Sequence, residues 1–355
     1  QRYSSELFDE MPEVDAFLGV NDYEALPGLL DSLEERKIIA NSCTEIELPE
    51  VKVRADGSMY SATLKIAEGC NNRCAYCIIP FIRGNYRSKR QEAVIAEAKA
   101  LAEAGCRELI LIAQDTTYYG YDLYGEYRLP QLLKQLCQID GIRWIRLMYC
   151  YEDRITDELI QTIREYDKIC NYLDIPIQHA SDNILKAMKR RSTNRSITDK
   201  IAKLKEQIPD IHIRTTLITG FPGETEEDFD TLYDFVAEQR FARLGVFAYS
   251  QEEGTVAGQM PNQIDEEIKT ERADSIMRLQ MEISLEENRS KIDTVQEVIV
   301  DEIDEDGSYI GRTRYDAPEI DNAVIFTGKQ EHKPGDMVMV HIDDAFDYDL
   351  AGTEV

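Results

Sequence analysis

Three cysteines stand close together in the segment GCNNRCAYCIIP, at Cys70, Cys74 and Cys77. Three thiolates in a C-x3-C-x2-C spacing on one loop can hold three irons of a 4Fe-4S cube and leave the fourth iron open to a small chelating molecule. The alternative is a structural zinc site, which demands a fourth Cys or His to complete a tetrahedron. No second motif follows, because the later cysteines are isolated from one another: Cys106, Cys137, Cys150 and Cys170. The spacing therefore favours an iron-sulfur cluster over zinc.

Three later loops follow predicted strands and carry residues that suit a binding site. The candidates are Gln114 and Asp115 in the first loop, Gln178 in the second, and Gly220, Gly223 and Glu224 in the third. The glycines let the backbone come close to a ligand. Each loop also has a purely structural explanation, since Asp115 suits a helix N-cap equally well and Glu224 suits the first turn of a helix. The glycines by themselves also suit an ordinary connection between a strand and a helix.

Basic residues gather in two places, just after the cysteine loop at residues 83–90 and again at residues 186–191. We interpret the second run as the exposed end of a helix, where the helix dipole favours cations. Arg83 and Arg87 lie close enough in sequence to the cysteines to hold an anionic substrate group, but a solvated surface is the simpler interpretation.

The segments that must position these loops alternate between strand and helix. Six strands are predicted at residues 62–67, 108–113, 144–149, 172–176, 212–218 and 244–249. Helices are predicted between them at residues 91–103, 130–138, 157–166, 182–190, 198–207 and 226–240. Short strands that alternate with helices indicate parallel strands joined by helical crossovers. The predicted fold class is therefore α/β, with a partial (βα)6 barrel.

The two ends of the chain differ from this barrel. Residues 1–58 contain a predicted helical stretch at 22–36 and are interpreted as the tail of a preceding domain plus a linker. Residues 59–290 form the partial barrel and end in a long amphipathic helix that begins near residue 265. Residues 291–355 carry short alternating strands and turn signals, which predict a small antiparallel β-barrel. Because the chain opens at Gln1 without Met or a signal pattern, we expect a fragment of a longer protein.

Composition limits the class of partner. The chain has 355 residues, 43% of them hydrophobic, and its 40 Lys and Arg against 68 Asp and Glu give a net charge of −28. That charge has the wrong sign for coating a phosphate backbone or an anionic membrane, so a basic macromolecule is the expected partner. No apolar run approaches the roughly 18 residues of a membrane span. Eight cysteines are too few for a disulfide scaffold, so we expect reduced thiols and a cytoplasmic location.

Residues 59 to about 250 resemble the radical S-adenosylmethionine enzymes, whose cluster loop shares this cysteine spacing and has an aromatic residue, here Tyr76, before the third cysteine. The resemblance implies that S-adenosylmethionine binds the open iron and is split by one electron into methionine and a 5′-deoxyadenosyl radical. It implies that Gln114 and Asp115 contact the methionine moiety and that the turn at Gly220 and Gly223 contacts the adenosine. By the same resemblance, Gln178 and Glu224 are also expected to bind the cofactor.

The whole chain most resembles the methylthiotransferases of the RimO type, through segments such as IAQDTTYYGYDLYG, IQHASDNILKAMKR and YDAPEID. The resemblance implies methylthio transfer to the β-carbon of an aspartate in a small-subunit ribosomal protein, with a low-potential donor such as flavodoxin or ferredoxin. In that family a preceding domain with three cysteines holds a second 4Fe-4S cluster. Cys43 alone cannot replace those ligands, so the second cluster is expected only in the full-length protein.

Two alternatives remain at this point. The MiaB type of the same family modifies an adenosine of transfer RNA, and its small C-terminal barrel, called TRAM, is associated with RNA binding. Residues 291–355 contain 5 Lys and Arg and 17 Asp and Glu, a net charge of −12. That charge repels phosphate and attracts a basic protein, so RNA binding is not expected. The second alternative is a non-catalytic, zinc-bearing scaffold for ribosome assembly.

Overall fold

The computed structural model describes residues 3–20, 22–33, 35–40 and 59–355. The strands are β1 (Ala16–Leu18), β2 (Lys37–Ile39), β3 (Ser61–Lys65), β4 (Ala67–Glu68), β5 (Arg87–Ser88), β6 (Glu108–Ile112), β7 (Trp144–Leu147), β8 (Ile169–Asp174), β9 (His212–Thr219), β10 (Arg243–Ala248), β11 (Val295–Ile303), β12 (Tyr309–Thr313), β13 (Val324–Thr327), β14 (Met337–Ala345) and β15 (Leu350–Glu354). The helices are α1 (Ser4–Glu10), α2 (Leu26–Ser32), α3 (Ile79–Arg83), α4 (Gln91–Glu103), α5 (Tyr121–Tyr124), α6 (Leu129–Leu136), α7 (Asp157–Glu165), α8 (Asp182–Ala187), α9 (Asn194–Gln207), α10 (Glu226–Gln239) and α11 (Glu266–Arg289).

The described N-terminal residues form a small unit in which β1 and β2 pair in parallel. The helix predicted at residues 22–36 is shorter than expected, because a 3-10 turn at Tyr23–Ala25 precedes α2 and the chain then turns into β2. Cys43 and the rest of residues 41–58 lie outside the described residues.

The six predicted strands form one sheet in the order β10-β9-β8-β7-β6-β3. Every pairing in it is parallel, and the strands follow one another in space as they do along the chain. The partial (βα)6 barrel is therefore confirmed. Strand β8 begins three residues earlier than predicted because Ile169 and Cys170 are themselves fully buried.

The main core lies between this sheet and the helices that cross over it. Helix α4 contributes Val94, Ala98 and Leu101, whose spacing of three to four residues puts them on one face. Strands β3, β6, β7 and β8 each contribute a fully buried leucine: Leu64, Leu109, Leu147 and Leu173. This core fixes the strand ends that carry the loops.

The C-terminal strands close into a separate five-stranded barrel in the order β11-β12-β13-β15-β14. Four of its pairings are antiparallel, whereas β13 and β15 pair in parallel. The fifth strand, β15, lacks the alternating apolar pattern by which the other strands of this barrel are predicted. Its residues Leu350–Glu354 carry Gly and Thr rather than an apolar run, so the strand forms because it fits between β13 and β14.

The connection between β12 and β13 covers the amino ends of the large sheet. Tyr315 stacks on His212, the first residue of β9, at 4.1 Å between ring centroids. Asp316 accepts hydrogen bonds from Arg243, the first residue of β10. The carboxyl ends of the same strands are thus left for the loops that carry the predicted site. No helix of the described residues is long and apolar enough to span a bilayer.

Candidate functional site

The cysteine loop follows β3 and β4 and is held by backbone contacts at several points. Gly69 has φ of +81°, and a Cβ there would lie 2.2 Å from the carbonyl oxygen of Asn85, so only glycine fits. The Cys70 N–H donates to the carbonyl of Gly84 at 3.2 Å, and the Cys77 N–H donates to that of Cys74 at 3.1 Å. The loop therefore turns tightly enough to direct the cysteines toward one place.

That place is a cavity of about 380 Å³ at the carboxyl ends of the strands. Cys70, Cys74 and Cys77 all line it, together with Gln114 from the loop after β6. The Oε1 atom of Gln114 is buried and has no hydrogen-bond partner among the described residues. An unpaired buried amide oxygen beside three thiols fits a bound cofactor that supplies the missing donor.

Ligand geometry also bears on the choice between a cluster and zinc. In the described part of the chain, no three or more His, Cys, Asp or Glu side chains converge closely enough to hold a single metal ion. Each thiolate of a 4Fe-4S cube binds its own iron, so three cysteines can hold the cube with one iron open, whereas a structural zinc site takes four protein ligands. The four later cysteines are buried, free thiols.

The protonation of the ligands follows from their burial. Burial raises the pKa of the Cys70 thiol to about 11 and also raises the pKa of Cys77. Both groups are therefore thiols at neutral pH before metal binds. Metal binding must release these protons, as is usual for thiolate ligands.

Asp115 supports the cysteine loop from within the protein. Its carboxylate caps the 3-10 turn that begins at Thr116, accepting from the Tyr118 N–H at 3.1 Å. It also pairs with the buried Arg154 and accepts from Asn72 Nδ2 at 2.9 Å, and Arg154 in turn donates to Asn72 Oδ1 at 2.8 Å. Burial raises the pKa of Asp115, with Arg154 acting in the opposite direction. Asp115 thus anchors Asn72, which stands between two of the cysteines.

The remaining predicted residues stand outside the lining of the cavity. Gln178 extends the pairing of β8 with β9, accepting from the Ile218 N–H and donating to the Thr216 carbonyl. The Glu224 carboxylate is buried and accepts from the Gly220 N–H at 2.9 Å and from Arg272 Nη1 at 2.7 Å. Glu224 therefore ties the turn after β9 to α11.

The two glycines of that turn differ in their surroundings. Gly220 has φ of +70°, and a Cβ there would lie 2.1 Å from Cγ of Lys269 on α11. Gly223 has φ of +85° but open space around it. The close approach at Gly220 is thus to a helix of the same chain, while Gly223 is exposed and a Cβ there would meet no other atom.

The loop after β7 contributes two cavity residues that sequence reasoning missed. Tyr149 and Tyr151 both line the cavity. The Tyr149 N–H donates to Asp174 at 3.0 Å, and the Tyr151 hydroxyl lies 3.5 Å from Cys74 Sγ. The sequence does contain a signal for these two residues, because they lie two and four residues after the end of a parallel strand. Loops at that end of parallel strands meet at one face of the barrel.

The basic runs also differ from expectation. Arg190 is not at an exposed helix end but buried, with its side chain only 2% exposed, whereas Lys189 and Arg191 on either side are exposed. The interpretation of this run as a solvated helix end is therefore wrong for Arg190. Arg87 donates to backbone carbonyls of Arg83 and Asn85, as a structural arginine does.

Family models and curated relatives agree with this geometry. Residues 64–236 match the model of the radical SAM superfamily, and residues 292–355 match the TRAM domain. The chain is 51% identical over 354 residues to the ribosomal protein uS12 methylthiotransferase RimO of Clostridioides difficile, covering 99% of this chain and 80% of the relative. The corresponding protein of Geobacter sulfurreducens is 49% identical over 360 residues, with the same two coverages. Among solved structures, coproporphyrinogen III oxidase (HemN) from Escherichia coli aligns over 73% of this chain and 66% of its own, with 15% identity and a TM-score of 0.49.

Proposed function

The chain belongs to the RimO family of radical SAM methylthiotransferases, and we propose that it attaches a methylthio group to the β-carbon of an aspartate in ribosomal protein uS12. The observation that carries the proposal is that Cys70, Cys74, Cys77 and Gln114 line one cavity. When bound there, a 4Fe-4S cluster and S-adenosylmethionine supply a 5′-deoxyadenosyl radical that removes hydrogen from an unactivated carbon.

The residues of the chain bind the two cofactors and position them for this reaction. Cys70, Cys74 and Cys77 are the proposed cluster ligands, and Gln114 offers its unpaired amide to S-adenosylmethionine. We retain Gln178, Gly223 and the backbone near Gly220 as proposed contacts of the cofactor, and assign Asp115 and Glu224 the supporting roles described above. No general base is required, because a radical rather than a base removes the hydrogen.

The charge of the small barrel supports a protein substrate over RNA. Of its five basic residues, Arg312 pairs with Glu108 and Asp301, and Arg314 donates to the carbonyls of Asp167 and Ile169 at the start of β8. Lys291 is buried. The basic side chains therefore mostly serve internal contacts and leave an acidic surface, which suits a basic ribosomal protein.

The remaining parts of the proposal concern the electron donor, a second cluster, the domain boundaries and the cellular location. We propose a low-potential electron donor of the flavodoxin or ferredoxin class, and a second 4Fe-4S cluster only in a form of the protein with three further cysteines. We propose the boundaries 59–290 and 291–355 for the two barrels, following residues 1–58 as the end of a preceding domain with its linker. The seven described cysteines are free thiols, which supports a reducing, cytoplasmic location.

Anaerobic reconstitution with iron and sulfide tests the proposal. We expect about four irons per chain and 5′-deoxyadenosine after dithionite and S-adenosylmethionine are added. Cys70→Ala should lose both, while Cys106→Ala, which removes a buried thiol outside the cavity, should keep both. One zinc per chain without deoxyadenosine would contradict the enzyme and favour a scaffold.

Substrate choice is tested next with a reconstituted form of the protein that carries the three further cysteines, supplied with sulfide and S-adenosylmethionine. We expect methylthio transfer to purified uS12, detected by mass spectrometry, and no modification of transfer RNA under the same conditions. Modification of an adenosine instead would replace the protein substrate by the transfer RNA alternative.

A further inference from the structure

Arg190 follows α8, and its guanidinium group is buried behind the cysteine loop. Its Nη2 donates to Oε2 of the buried Glu152 at 3.2 Å. Its Nε and Nη1 are buried without an acceptor in good hydrogen-bond geometry among the described residues, and the Tyr76 side chain is the nearest polar neighbour of the guanidinium besides Glu152. A buried guanidinium with unpaired N–H groups is costly, because the charge is desolvated without full compensation. A further negative charge nearby would therefore stabilise the guanidinium beyond its pairing with Glu152.

The cysteine loop is the neighbouring segment that brings such a charge when a cluster is bound to it. The Arg190 guanidinium lies 4.7 Å from the centre of the Tyr151 ring, and the hydroxyl of Tyr151 lies 3.5 Å from Cys74 Sγ. The Ala75 N–H donates to the carbonyl of Met188 at 2.9 Å, so the segment that carries Arg190 is fastened directly to the cysteine loop. These contacts leave little freedom for Arg190 to move away from Cys74.

Solvent has little room to screen this charge. Arg190 and Cys74 line the same small cavity of about 10 Å³, which is near the minimum volume for a single water. Burial alone would lower the pKa of Arg190, but Tyr76 and Glu152 are among the neighbours that raise it. Arginine is in any case always charged in proteins. A fixed positive charge therefore stands beside Cys74 in a poorly screened environment.

We propose that Arg190 is a positioning residue that offsets the negative charge of a cluster bound through Cys74 and thereby raises its reduction potential. This inference rests on the proposed function. One-electron reduction by a low-potential donor adds one negative charge to the cluster and neither forms nor breaks a bond. A nearby positive charge stabilises the reduced form more than the oxidised form, since net charge near the sulfurs sets the potential of such clusters.

The test is an anaerobic redox titration of the reconstituted full chain, followed by electron paramagnetic resonance. In Arg190→Met we expect the ratio of reduced to oxidised cluster at the wild-type midpoint to fall at least tenfold, a 59 mV decrease for one electron. Arg195→Met is the control, because it removes the same charge from a side chain that is 91% exposed and does not line that cavity, and we expect its ratio to change less than twofold. Equal midpoints in Arg190→Met and Arg195→Met would overturn the inference.

A second variant should shift the midpoint potential in the opposite direction. Glu152→Gln keeps Arg190 but removes the carboxylate that partly neutralises it, so we expect the midpoint potential to rise. A merely structural role for the pair would lower cluster retention in both variants without shifting their potentials in opposite directions. If Arg190→Met retains no cluster, a Glu152→Gln potential that is unchanged or lower overturns the inference. A wild-type chain that binds no iron would instead refute the proposed function.

Discussion

The replacement Glu108→Gln tests how the two barrels are joined. The carboxylate of Glu108, the first residue of β6, is fully buried and accepts from Arg146 Nε at 2.9 Å. It also accepts from Nη2 of Arg312, on β12 of the small barrel, at 2.7 Å. Burial acts to raise the pKa of Glu108, but the two guanidinium groups outweigh it and lower the pKa from 4.5 to about 2.

The size of the expected effect follows from that pKa. At 1.36 kcal/mol per pH unit, a fall from 4.5 to about 2 corresponds to about 3 kcal/mol of stability at neutral pH. Loss of one partner from a buried ion pair costs a similar amount. Because the folded-state pKa is the lower one, this stability is present above pH 4.5 and is lost as the pH falls toward 2.

Urea unfolding followed by circular dichroism measures the effect. We expect Glu108→Gln to reduce the free energy of unfolding by about 3 kcal/mol at pH 7 and the difference from wild type to narrow below about pH 4.5. Glu297→Gln is the control, since Glu297 also pairs across the two barrels, with Arg143 at 2.8 Å, but that arginine is 56% exposed. The control should cost about 1 kcal/mol or less. Equal losses in the two variants, or a difference that does not change with pH, would refute the reasoning.

Two further predictions concern the cavity and the turn after β9. Gly220→Ala should reduce the free energy of unfolding by about 3 kcal/mol or more, because its Cβ would collide with Lys269 and its φ is positive. Gly223→Ala should cost only about 1 kcal/mol, because only its positive φ opposes the change. Equal urea midpoints for the two variants would contradict this reasoning. Gln114→Ala should weaken S-adenosylmethionine binding about tenfold by removing one hydrogen bond while the iron content stays unchanged; loss of iron as complete as in Cys70→Ala would show that Gln114 is structural instead.

Much of the fold follows from local patterns in the sequence. The helix predicted at residues 91–103 matches α4, and the six predicted strands form the sheet in chain order. Such elements have a hydrophobic periodicity of their own, so the conformation of each segment can be predicted from its own residues. Strand β15 lacks that signal, because its stability comes from the two strands that it joins.

The sequence by itself determined the chemistry of this protein, because the spacing of Cys70, Cys74 and Cys77 places three thiols on one short loop whatever surrounds it. The tertiary structure alone decided which distant groups meet that loop. It buries Arg190 beside Cys74, and it brings Lys269 against Gly220 and Arg272 against Glu224. Side-chain periodicity describes the face of a single element, whereas these contacts depend on how separate elements pack, which a pattern along one segment does not contain.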